Sequence, residues 1–142
     1  MSGALLLDTH IALWLDAGDT RLRTTTRQLI EDCWRAGGSV LLSAVSAWEI
    51  ALLVELDRID LDVPVAAWIE RFLDRPGIES LELDHRAAVG AYALHHLEHR
   101  DPADRLLIAT AIEMAVPLVT YDESITAFGN KHGRRYGFTA MA

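Results

Sequence analysis

Ala4–Leu7 and Val40–Leu42 contain no polar residue. A strand with one wet face alternates apolar with polar side chains, so a short, uniformly apolar run fits a strand covered on both faces. Pro117–Thr120 is nearly as apolar, Ile78–Leu83 alternates around Glu79 and Glu82, and Phe138–Met141 offers a fifth strand. Helical patterns fill the intervals. Ile11–Leu15 reads as a short helical turn. Arg21–Arg35 spaces Leu22, Leu29, Ile30 and Trp34 along one face before Gly37-Gly38 stops it. Ser46–Leu56 is apolar almost all round, and Val65–Leu73 runs between Pro64 and Pro76-Gly77. Asp84 caps a helix expected to reach about Glu98, and Asp101-Pro102 opens another to about Ala115. Strands alternating with helices at these intervals place the chain in the α/β class, with a parallel sheet and helices on both faces.

At 142 residues the chain is expected to form one domain over 1–142, large enough for a core without staples. Cys33 is the single cysteine, which excludes an intrachain disulfide and a cysteine-based zinc site. No apolar run approaches the roughly 20 residues of a membrane helix. The N-terminus has no basic region ahead of Leu5–Leu7, so the expected address is the cytoplasm. The net charge of −8 argues against a nucleic-acid binder that works through its whole surface. An acidic pocket filled by a metal ion remains compatible with a nucleic-acid substrate.

In open parallel sheets, ligands bind beyond the C-terminal strand ends. Asp8 ends the first strand, Asp122 follows Pro117–Thr120, and Glu49 lies in the first turns after the second strand. Asp101 and Asp104 open the helix that feeds the Pro117–Thr120 strand. Each acid also has a purely structural explanation. Ser46-Ala47-Trp48-Glu49 is a capping box, Asp101 and Asp104 suit a helix start, and Asp8 and Asp122 can cap or turn. A shared sheet edge is what a site requires and independent caps do not. Clustered carboxylates repel unless a cation joins them, and oxygen-rich pockets suit Mg²⁺ or Mn²⁺. With no glycine-rich phosphate loop, hydrolysis of a phosphodiester is the chemistry such a site suits.

Four segments, Leu5-Leu6-Leu7-Asp8-Thr9-His10, Ser46-Ala47-Trp48-Glu49-Ile50-Ala51, His99-Arg100-Asp101-Pro102-Ala103-Asp104-Arg105 and Leu118-Val119-Thr120-Tyr121-Asp122, resemble the PIN-domain family. More narrowly they resemble its VapC branch, the toxin ribonucleases of VapBC toxin–antitoxin modules. The resemblance spans nearly the whole chain. It implies a three-layer α/β/α sandwich and a Mg²⁺- or Mn²⁺-dependent endoribonuclease acting on RNA. It also implies inhibition by a cognate VapB-type antitoxin, and a homodimer. Carried over by motif, the catalytic and metal-binding acids are Asp8, Glu49, Asp104 and Asp122. Asp101 is then an auxiliary acid or a cap, and Thr120 matches a hydroxyl beside the metal. Arg100 and Arg105 flank the acids as candidate phosphate contacts or as solvated charge.

Other signals carry less. His95 and His99 share a face of the expected helix, but a zinc site needs further ligands. His10 follows a site acid, where local packing is the simpler role. Trp14, Trp34, Trp48 and Trp68 lie on apolar helix faces, which suits core or interface burial better than base stacking. Lys131, Arg134 and Arg135 form the one basic cluster and read as an RNA contact or a flexible tail. A phosphoacceptor receiver wants a paired acid near Asp8 and a lysine after the last core strand. A haloacid-dehalogenase phosphatase wants an Asp where His10 stands. Neither pattern is present. A non-catalytic PIN-like protein-binding module is the alternative, against which the four mutually repelling acids argue.

Overall fold

The fold is described by a computed structural model over residues 3–98 and 100–142. In chain order the elements are β1 (Ala4–Leu7), α1 (Thr9–Ala17), α2 (Thr24–Arg35), β2 (Ser39–Ser43), α3 (Ala44–Glu55) and α4 (Val65–Leu73). They continue with β3 (Ile78–Leu81), α5 (His85–Gly90), α6 (Pro102–Met114), β4 (Leu118–Val119), α7 (Glu123–Tyr136) and β5 (Ala140–Met141). The strands form one parallel sheet in the order β3–β2–β1–β4–β5. Leu5 pairs with Val40 on one side, and Leu7 with Val119 on the other.

Strand alternation sorts the core into two layers. Leu5, Leu7, Val40, Leu42 and Val119 pack with Ile11, Ile30, Trp68 and Phe72 from α1, α2 and α4. Leu6, Leu41 and Leu118 face the opposite side and meet Leu107, Ile108, Ile125 and Phe128 from α6 and α7. The apolar runs are therefore buried on both faces, as a three-layer α/β/α sandwich requires. Helix α3 gives Ile50 to one layer and Val45 to the other, and leaves apolar Trp48, Ala51 and Leu52 exposed. The chain builds outward from β1 to β3 and then returns to lay β4 on the free side of β1. That reversal opens a crevice at the C-terminal ends of β1 and β4.

Helix α1 is a full helix over Thr9–Ala17 where the sequence reads as a short turn over Ile11–Leu15, and two later elements differ more. The helix after Asp84 ends at Gly90, and residues 91–98 form turns instead of continuing to Glu98. Arg105 holds these turns, donating to the carbonyls of Ala91 (2.9 Å) and Leu97 (2.8 Å), while Leu94 and Leu97 fill the second core layer. His95 is therefore on a turn, and His99 lies outside the described residues. The second difference is α7, which the glycines at 129 and 133 conceal. Lys131, Arg134 and Arg135 lie on this helix and not on a tail, with both arginines in its last turn, where they complement the helix dipole.

Gly133 has a packing reason. A Cβ there would sit 2.5 Å from the Phe138 carbonyl oxygen, a backbone atom that cannot swing away. Gly133→Ala gains about 1 kcal/mol of helix propensity but incurs overpacking of about 1–3 kcal/mol. The expected net result is a lower midpoint in urea unfolding. An unchanged or higher midpoint would show that β5 moves freely relative to α7.

A candidate metal centre at the sheet edge

Asp8 leaves β1 at the crevice and is 8% exposed. One carboxylate oxygen accepts the Thr9 N–H at 2.7 Å, and the other accepts the Thr120 hydroxyl at 2.7 Å. Thr120, fully buried just after β4, accepts the Asp122 N–H at 3.0 Å. Asp122 itself caps α7 by accepting the Ile125 N–H at 2.9 Å. A hydroxyl between two strand ends thus holds Asp8 and Asp122 in fixed relation.

Glu49 reaches the crevice from α3. Ser43, and not Ser46, caps that helix by accepting the Val45 N–H at 3.0 Å. The capping box read in the sequence is therefore not used. Ser46 and Glu49 turn instead toward Thr9, whose buried hydroxyl lies 2.9 Å from Ser46 Oγ and donates to Glu49 Oε1. The third contribution is the start of α6, where Asp101 Oδ1 accepts the N–H groups of Ala103 (2.9 Å) and Asp104 (3.3 Å). Capping does not remove Asp101 from the site. Glu49, Asp101 and Asp104 each place a carboxylate oxygen within 4.8 Å of the others. All five acids line one cleft of about 570 Å³, together with His10, Trp14, Arg21 and Tyr121.

The acids form one electrostatic unit. Burial pushes the Asp8 carboxyl above its usual range, and the nearby Asp122 charge adds to this, while hydrogen bonds from Thr120 and Thr9 and the charge of His10 oppose it. Burial also raises Glu49, assisted by the charges of Asp8 and Asp101 and opposed chiefly by the Thr9 hydroxyl. A hard divalent cation fits this donor set, because every candidate ligand is a carboxylate oxygen and each extra charge disfavours the others.

The two flanking arginines diverge. Arg100 is exposed beside Asp101, whereas Arg105 places its guanidinium on backbone carbonyls. The tryptophans diverge as well. Trp68 is buried and donates to Asp16 Oδ2 at 3.1 Å, Trp34 donates to the Gly77 carbonyl at 2.9 Å, and Trp48 is 56% exposed. Trp14 is only partly buried and lines the acidic cleft. Thr9, Tyr121, Arg21 and Arg23 have no site role in the sequence reading, which gave Ser46 to a helix cap and Trp14 to core or interface burial. Thr9 and Tyr121 adjoin site acids, a signal that could have marked them; nothing local marks the arginines.

The family model for the PIN domain matches residues 5–131. The chain is 35% identical to Ribonuclease VapC22 of Mycobacterium tuberculosis over 130 residues, covering 92% of this chain and 94% of that protein. In fold it is similar to a chain in the crystal structure of VapBC2 from Rickettsia felis, with a TM-score of 0.67, 15% identity and 97% of each chain covered. A toxin–antitoxin complex from Klebsiella pneumoniae contains a similar chain, with a TM-score of 0.57, 15% identity and 95% of each chain covered. With the sheet order, the acid-lined crevice and these likenesses together, the chain belongs to the PIN-domain family, in its VapC branch.

Proposed function

We propose that this protein is the toxin endoribonuclease of a VapBC-type module, hydrolysing RNA phosphodiesters with Mg²⁺ or Mn²⁺ and inhibited by a cognate VapB-type antitoxin. The observation that carries the reading is the meeting of Glu49, Asp101 and Asp104 within 4.8 Å, in a cleft that Asp8 and Asp122 also line. Asp8, Glu49, Asp104 and Asp122 are the proposed ligands, with Asp101 as auxiliary acid and helix cap. When bound, the ion supplies charge to the phosphodiester and makes the attacking water more acidic. The protein's part is orientation: Thr120 holds Asp8, Thr9 holds Glu49, and the helix cap fixes Asp101. Arg100 is the proposed phosphate contact, while Arg105 serves by fixing residues 91–97 beside α6.

The fold relatives support a partner, since one is a toxin–antitoxin complex from Klebsiella pneumoniae and another is VapBC2 bound to a promoter DNA fragment. An acidic cleft on a chain of net charge −8 suits a basic antitoxin residue. Exposed Trp48 and Leu52 on α3, with Leu56 just after it, support protein contacts, assigned here to the antitoxin and to a second copy of the chain. Among the described residues no helix is long and apolar enough to cross a membrane. The proposed location is the cytoplasm.

Purified protein, freed of partners, is expected to cut a structured RNA at few positions with Mg²⁺ or Mn²⁺, and to stop in EDTA. Loops are the expected targets because their backbone can be splayed into a cleft. Cleavage that persists in EDTA, or in Glu49→Gln, would refute the metal-dependent reading.

A further inference from the structure

We propose that the lip made by His10, Trp14 and Tyr121, carrying Arg21 and Arg23, is a subsite for one unpaired nucleotide beside the scissile phosphodiester. The base stacks on the exposed His10 end and the phosphate sits on the arginines. This inference rests on the ribonuclease reading and says where its substrate is held.

The rings form a continuous ladder. His10 and Trp14 have centroids 5.8 Å apart, and Trp14 and Tyr121 lie 5.7 Å apart. Arg21 lies 5.1 Å over the Trp14 ring, and Arg23 lies 4.2 Å over the Tyr121 ring. His10, Trp14, Arg21 and Tyr121 line the same cleft as the five acids, so the lip adjoins the reacting position. His10 is exposed, whereas Trp14 and Tyr121 pack partly against the first core layer and leave the rest of their surface on the cleft.

The ladder is also held in place before any ligand arrives. The Tyr121 hydroxyl takes the Arg23 N–H at 3.0 Å and lies 2.6 Å from Thr26 Oγ1, which ties the start of α2 to the end of β4. Tyr121, so pinned, backs Trp14, and Trp14 backs His10, which limits the rotamer entropy lost when a base stacks there. A guanidinium stacked on a ring keeps its in-plane N–H groups for a phosphate. Arg21 is paired with Asp19 at 2.7 Å, whereas among the described residues no carboxylate is paired with Arg23. For a protein of charge −8, such a cation beside an acidic cleft counters repulsion of the RNA backbone. Rings that take a base face require an unpaired strand, because a duplex keeps those faces stacked.

The test is fluorescence anisotropy of a short labelled single-stranded RNA at low salt, in EDTA so that no cut occurs. Wild type, Arg23→Gln, His10→Ala and, as control, Arg35→Gln in the last turn of α2 are compared, with folding checked by circular dichroism. Arg23→Gln is expected to weaken binding severalfold and to reduce the salt slope by about 0.7, the value for one phosphate on a single strand. His10→Ala is expected to weaken it by about fivefold or more, and Arg35→Gln to leave it unchanged. The proposal fails if the two lip variants bind like wild type, or if no protein binds. It also fails if a labelled acidic peptide binds in an Arg23-dependent way and RNA does not. Cleavage with Mg²⁺, measured separately, tells whether the ribonuclease reading survives that failure.

Discussion

Metal-free Asp8→Asn is expected to melt higher than wild type at neutral pH, by the equivalent of about 1 kcal/mol. It is also expected to cut RNA at least about a hundredfold more slowly once Mg²⁺ is supplied, because loss of an outer-shell partner alone costs about 10–100-fold. The stability effect follows from burial. Asp8 and Glu49 both have carboxyls raised in the fold, with burial as the first cause. A raised carboxyl means that the folded state holds more protons than the unfolded one. Its stabilising contribution is complete below the unfolded value and is lost as pH rises through the folded value. At neutral pH the wild-type charge on Asp8 is therefore a liability that asparagine removes. Part of the gain is offset, since asparagine presents an N–H₂ where Thr120 now donates; a neutral hydrogen bond is worth about 1 kcal/mol. Wild type without metal should accordingly lose stability as pH rises beyond the ordinary carboxylate range, and the variant should lose less. Mg²⁺ at a hundred times its dissociation constant should add about 2.7 kcal/mol to wild type and much less to the variant. Differential scanning fluorimetry in EDTA and then in excess Mg²⁺ decides the matter. Should Asp8→Asn melt lower without metal and both proteins shift equally with it, Asp8 is a structural cap.

Thr9→Val is expected to reduce cleavage by about 10–100-fold, while Thr9→Ser retains most of it. The valine nearly matches the threonine in shape, so it removes the hydroxyl that Glu49 accepts without emptying the buried space between α1 and α3. Glu49 then regains rotamer freedom in the first turns of α3 and meets the ion less often in the required position. The loss should appear chiefly as a weaker apparent affinity for Mg²⁺ in initial-rate titrations. A purely structural role would instead lower the melting temperature and leave the metal dependence untouched. Equal activity of the valine and serine variants at limiting Mg²⁺ would refute the orienting role.

Much of the architecture is legible locally. Uniformly apolar Ala4–Leu7 and Val40–Leu42 are buried on both faces, and the caps at Asp84 and Asp101 are where their residue types place them. Helix α7 is not legible, because Gly129 and Gly133 are poor helix formers whose presence answers to close packing against Phe138 and Ala140. Nor are the turns at 91–98, since the apolar spacing of Leu94 and Leu97 suits a helix, and only the distant Arg105 supplies partners for the carbonyls of Ala91 and Leu97.

The sequence by itself determined most element types, the two buried layers and the placing of acids after strands and at helix starts. These follow from periods and caps that span only a few residues. Only the tertiary structure decided which side chains meet. Thr9 and Glu49 are 40 residues apart, and Thr120 and Asp8 are 112 apart. Their contacts exist because β4 returns to the free side of β1 and α3 is rotated to turn Glu49 inward. The same return brings Tyr121 beneath Arg23, a pairing 98 residues long in sequence. Local pattern sets the period and the face of an element, but strand order and helix rotation are set by burial over the whole chain. The site is made at those long-range junctions.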